Sequence, residues 1–215
     1  MVIANLNIFI SIILPLTMML FIIKGEARTV MTFLLFGIVA EFLSNLSENL
    51  ILTETVNNVY FTVNVTPPIE EVLKGLPLLI FVFVFKPKKQ LIFEAGIAAG
   101  VGFAIMENAF IIASDISSVS FIIAFLRGIG TGMMHAVCTL TVGYGMSFIY
   151  TKKRFFVPGT FLFLFMAVIY HSVFNALVQS KYQIIGLCMP IATFIPLLIR
   201  IMMQNSKAPK AEQAE

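Results

Sequence analysis

Glu70, Glu71, Lys74, Glu94, Glu107, Arg127, His135 and His171 all stand inside runs of apolar residues. Two imidazoles and several carboxylates held away from bulk water are the ingredients for activating a water molecule. One route uses a divalent metal such as zinc, held by His135, His171 and the carboxylate of Glu107, which lowers the pKa of bound water to about 7. The other needs no metal. A buried glutamate takes a proton from water, one histidine orients that water, and the second histidine with Asn175 donates hydrogen bonds to the developing oxyanion. Both routes end in attack on a carbonyl carbon, with a peptide amide as the natural target.

The elements that must carry these groups follow from composition. The chain has 215 residues, 59% hydrophobic and only 12% charged, with a mean hydropathy of +0.98. Soluble domains carry about 25% charged residues, so this is an all-α, polytopic membrane bundle. Cytosolic enzymes and nucleic-acid-binding domains are excluded, and no Walker sequence points to a nucleotide cofactor. Cys138 and Cys188 both lie in apolar runs and support neither a disulfide framework nor a thiolate metal cluster.

A transmembrane helix needs roughly 20 mostly apolar residues. Cutting the chain at its polar interruptions predicts seven spans, at 4–23, 29–46, 67–85, 91–114, 127–150, 157–178 and 183–203, with 119–126 as a short interfacial helix before the fifth. The first run lacks a basic n-region and reads as a retained helix. Residues 1–203 form one transmembrane domain with a catalytic core at 67–178, and 204–215 form a short cytoplasmic tail. Lys24 and Arg28, Lys86-Pro87-Lys88-Lys89, Lys152-Lys153-Arg154, and Lys207 with Lys210 fall in alternate connections; the others hold Glu48, Glu54, Asp115 and Lys181. The positive-inside bias therefore places the N-terminus outside and the C-terminus inside, in a multi-pass protein of the cell membrane.

A charge at mid-bilayer costs roughly 2.5–3.5 kcal/mol on insertion scales, so each intramembrane ionisable residue is a functional candidate. Depth brings them together: Glu70 and Glu71 lie within a turn of the outer interface, and Glu107 lies about 10 Å below the outer end of its span at 1.5 Å per residue. His135 and His171 reach a similar depth by the same rise. Helix phase gives a second test. Lys74 can fold onto Glu70 or Glu71, His171 shares a face with Asn175, and His135 shares one with Thr139. Gly96, Gly100 and Phe103 lie on the stripe of Glu107, and small residues there direct that carboxylate into the bundle. Glu94 is on another face near the inner end. Arg127 reads as an interface anchor or an entrance ion pair, and Gly130, Gly132, Gly143 and Gly145 read as helix-packing positions.

Four ordered stretches carry a family resemblance. They are Pro67-Pro68-Ile69-Glu70-Glu71-Val72-Leu73-Lys74-Gly75, then Gly100-Val101-Gly102-Phe103-Ala104-Ile105-Met106-Glu107-Asn108, then Arg127 leading to His135 and Thr139, and finally His171-Ser172-Val173-Phe174-Asn175. Together they resemble the motifs of the PrsW family, within the larger group of intramembrane proteases that includes the CAAX prenyl endopeptidases and the Abi proteins. That larger group has arginine one residue beyond the position of Lys74. The resemblance implies an endopeptidase that cuts a membrane-anchored regulatory protein near the outer face, with Glu70, Glu71, Glu107, His135, His171 and Asn175 as its site.

Other readings remain at this stage. Glu70 and Glu71 would also suit the N-terminus of an interfacial helix. Buried Glu, His and Lys also build proton relays, so a proton- or ion-coupled transporter is the alternative from another class. Such a carrier predicts inverted repeats and broken helices at the midplane, and the chain shows no internal symmetry. A catalytically silent scaffold of the same fold would be expected to lack a motif residue. No soluble-zincin His-Glu-x-x-His, Gly-x-Ser-x-Gly elbow or intramembrane aspartate pair occurs.

Overall fold

The computed structural model describes residues 2–51, 58–114 and 120–206. The order is α1 (Val2–Met19), α2 (Gly25–Ile51), α3 (Asn58–Asn64), α4 (Thr66–Phe85), α5 (Lys89–Ser114), α6 (Phe121–Met146), α7 (Phe148–Thr151), a 3-10 turn (Lys153–Phe155), α8 (Phe156–Val178) and α9 (Gln183–Ser206). No strand occurs among the described residues, as the apolar runs led one to expect. Glu54, Asp115, Lys207 and Lys210 lie outside the described residues.

Four segments are long and apolar enough to cross a membrane: Gly25–Ile51, Lys89–Ser114, Phe121–Thr151 and Lys153–Val178. Ala4–Met19 and Gln183–Pro196 are shorter apolar helical stretches. α4 is 20 residues long but carries Glu70, Glu71 and Lys74, all buried. Large apolar side chains instead face outward, among them Phe83 at 52%, Phe161 at 68% and Phe165 at 63% exposure. Charge inside and phenylalanine outside is the distribution that hydrocarbon, not water, selects. The chain is an integral membrane protein.

α5 is the central helix, packed between α2 and α6. Its small residues set that position. A Cβ on Gly102 would run into the Leu34 carbonyl of α2, one on Gly100 into the His135 carbonyl of α6, and one on Gly37 of α2 into the Ala99 carbonyl of α5. On the same α5 face as Gly100, Gly96 sits so that a Cβ would be 3.2 Å from the Thr139 carbonyl of α6. Backbones this close bring the polar faces of three helices to one axis. Gly130 and Gly145 likewise abut Leu187 of α9 and Gly159 of α8, whereas a Cβ on Gly132 would meet nothing within 4 Å. Gly132 is therefore not a packing glycine.

The structure corrects the sequence reading near the fifth span. α6 is continuous from Phe121, so the described part of 119–126 belongs to the same helix as Arg127 and is not a separate interfacial element. Ser120 caps it, its side chain accepting from the Ile123 amide at 3.3 Å. The helix breaks instead at Ser147, before α7. α3, which was not foreseen, packs on α4 and α8, and α9 continues to Ser206.

Candidate active site

α4 begins with Pro67 and Pro68 in its first turn, where the missing amide hydrogens would have had no intrahelical partner anyway. Glu70 and Glu71 follow on the next turn, 4% and 0% exposed, with Lys74 at 1%. The Lys74 ammonium donates to Oε1 of Glu71 at 2.6 Å, which decides between the two carboxylates that helix phase left open.

α8 brings His171 to the same pair. Its Nδ1 is 2.9 Å from Glu71 Oε1, and its Nε2 is 3.7 Å from Glu70 Oε2, beyond hydrogen-bond reach. α6 supplies His135, whose Nδ1 lies 2.8 Å from Lys74 Nζ and whose Nε2 lies 3.0 Å from Glu107 Oε2 on α5. An ammonium only donates. Nδ1 of His135 therefore accepts, the imidazole is neutral, and its Nε2–H donates to Glu107. Glu71 accepts from Nδ1–H of His171 and leaves the Nε2 lone pair of that ring free. The two rings meet edge to face, with centroids 4.9 Å apart. Phe103 closes the set from α5, with its ring 4.7 Å from that of His135 and 4.3 Å from Lys74 Nζ.

The chain Glu107–His135–Lys74–Glu71–His171 thus links four helices through consecutive polar contacts. Lys74, His135, Glu71 and His171 are each at most 1% exposed. Glu107 is the member nearest solvent, its side chain 21% exposed, with Arg127 Nη2 3.8 Å from its Oε1. Glu107, Arg127 and Glu70 line a polar cavity of about 390 Å³ at that end of the bundle. An apolar groove of about 340 Å³ between α4, α6 and α8 reaches the site from the other side, at Glu71.

One group among the described residues has the shape of a metal site. Glu70, His135 and His171 each offer a ligand atom, all within 4.8 Å of one another. Two observations fit a cation there. Glu70 Oε2 is buried with no hydrogen-bond partner, and its 3.7 Å separation from His171 Nε2 is what two bonds of about 2.0–2.2 Å to one ion span. A mixed imidazole and carboxylate set is also the donor set of catalytic zinc sites. Glu107, which the sequence offered as the acidic ligand, lies outside this trio and is hydrogen bonded to His135 instead.

Glu70, Glu71, Lys74, Glu107, His135 and His171 are brought together as their common depth suggested. Asn175 lines the same polar cavity as Glu70 and Glu107, and its amide donates to the Thr62 carbonyl at 2.8 Å, tying α8 to α3. Thr139 donates to the His135 carbonyl at 3.1 Å, within its own helix. Glu94 accepts from Gln90, away from the site. The residue that sequence reasoning missed is Glu41, 5% exposed on α2 and lining the polar cavity. An acid in the apolar run of the second span was a signal that could have found it.

A family model described as PrsW family intramembrane metalloprotease matches residues 14–201. No curated protein matches, and no solved structure does.

Proposed function

The chain belongs to the PrsW family and is an intramembrane protease, and on that premise we propose that it hydrolyses a peptide bond of a membrane-anchored protein at the outer side of the membrane. The observation that carries this reading is the pairing of unsatisfied Glu70 Oε2 with the free Nε2 of His171, next to a polar cavity and behind an apolar groove. We read the seven-span arrangement, N-terminus outside, on the basic clusters Lys86–Lys89 and Lys152–Arg154 at the ends of α4 and α6–α7 remote from Glu70. The anchoring helix of the substrate would lie along the groove, with its polar flank in the cavity.

Glu70 and the free Nε2 of His171 would hold a divalent metal, with His135 joining them through Nδ1 once the Lys74 ammonium moves off that nitrogen. When bound, it supplies an acidified water and a positive charge that polarises the scissile carbonyl. Glu71 orients His171 through Nδ1, and Lys74 holds Glu71 in place. Glu107 orients His135 and faces the cavity. It is placed to accept the water proton as the new C–O bond forms and to return it to the amine as the C–N bond breaks. The surrounding apolar side chains keep other water out.

The test uses purified protein in lipid vesicles with a tagged single-span substrate. Glu70→Gln and His171→Ala are expected to lose both cleavage and a stoichiometric metal measured by elemental analysis. Full activity in a metal-free preparation would remove the metal and leave the glutamates alone to activate water, and wild-type cleavage by His171→Ala would remove the site altogether.

A further inference from the structure

The polar cavity holds more carboxyl groups than hydrolysis uses. Glu41, Glu48, Glu70 and Glu107 line it, against Arg127 as the basic side chain among its lining residues. Three of the four are accounted for. Glu107 pairs with His135 and Arg127, Glu48 accepts from the Ser44 hydroxyl at 3.0 Å, and Glu70 belongs to the metal trio. Glu41 is different: only 5% exposed, it has no hydrogen bond or ion pair among the described residues, yet its side chain lines the cavity. Its carboxylate oxygens open onto the cavity rather than onto packed protein, where an ionised acid away from bulk water is costly without a counter-charge. What would relieve it is a cation delivered from outside the chain.

The shape of the cluster narrows that cation. Among the described residues only Glu70, His135 and His171 bring ligand atoms within reach of one small ion. Glu41 and Glu48 do not converge in that way, so a bare metal would be poorly held between them. An ammonium or guanidinium on a flexible stem suits dispersed carboxylates better, because several donors reach several acceptors. The cavity shares Glu70 with the metal trio, so a side chain lodged there belongs to a residue close to the scissile bond.

Resting on the function proposed above, we propose that this cavity is a specificity pocket for a lysine or arginine side chain of the substrate, with Glu41 as its main counter-charge and Glu48 beside it. Lys and Arg are depleted on the outer flanks of membrane spans. A basic residue in that place is therefore a selective mark.

The test uses synthetic single-span peptides in neutral lipid vesicles, identical except for one outer-flank residue, Arg, Gln or Glu. Binding to the full-length protein is measured by fluorescence, and cleavage in the same vesicles. The Arg peptide is expected to bind about tenfold tighter than the Gln peptide, and the Glu peptide more weakly than either. Glu41→Gln is expected to bring the Arg-to-Gln ratio down about fivefold, and Glu41→Lys to turn the preference toward the Glu peptide. Reversal of preference is a readout that a merely structural glutamate would not produce. Glu48→Gln lowers the same ratio and serves if Glu41 variants do not fold. Equal binding of the three peptides to the wild type, or a ratio untouched in both glutamine variants, overturns the pocket. Charge-dependent binding without cleavage of any peptide would instead overturn the protease reading and leave the pocket standing.

Discussion

Lys74 Nζ lies 2.8 Å from Nδ1 of His135, across 61 positions of sequence and between two helices. The same ammonium holds Glu71 at 2.6 Å. One buried cation therefore fixes the orientation of both histidines, His135 directly and His171 through Glu71.

Removing that cation should be expensive. Lys74→Met leaves the Glu71 carboxylate buried without its positive partner, and breaking a buried pair in this way costs about 3–5 kcal/mol. The expected result is a large drop in thermal unfolding temperature in detergent, accompanied by loss of cleavage. Unchanged stability and turnover would show that the ion pair does not organise the site.

Glu71→Ala is expected to act through His171. With its Nδ1 partner gone, the ring loses its fixed orientation, and loss of such a supporting carboxylate lowers metal affinity or activity by about 10–100-fold. Metal titration should show that weakening even where residual cleavage is too slow to measure. Native metal affinity together with wild-type cleavage would strike Glu71 from the mechanism.

Glu107→Gln separates proton transfer from metal binding. The amide can still bond His135 but cannot carry a proton, and Glu107 lies outside the ligand trio. We expect kcat to fall by about 10²–10⁴-fold, with bound metal retained and KM little altered. A fall in metal content would instead make Glu107 a ligand.

Two glycines test the packing that aligns the helices. Gly100→Ala puts a Cβ against the His135 carbonyl and should cost about 1–3 kcal/mol by overpacking, with a loss of activity because His135 is displaced. Gly132→Ala meets nothing within 4 Å, so it should be neutral or stabilising by up to about 1 kcal/mol, the helix-propensity gain. Equal effects of the two on the unfolding temperature would contradict the α5–α6 contact described above.

The sequence by itself determined the solvent, the helical class and the cast of the site. A chain with 12% charged residues must bury its backbone polar groups in helices within lipid, and every acid or histidine inside such a helix is too costly to be idle. That Lys74 can fold onto one of the two adjacent glutamates, and the inward direction of Glu107, follow from helix periodicity alone. Periodicity could not say how far each helix is rotated or how deep it sits against its neighbours. Glu70 and Glu71 are adjacent, and both meet His171 because its two ring nitrogens face different carboxylates. Which carboxylate is bonded, which is left free, and that Lys74 spans to His135 are consequences of how α4 packs against α6 and α8. The bond from Asn175 to Thr62 depends on α3, a seven-residue helix without an apolar run of its own. Hydrogen bonds fail beyond about 3.5 Å, so their partners are chosen by tertiary packing, and no spacing along a single helix contains that information.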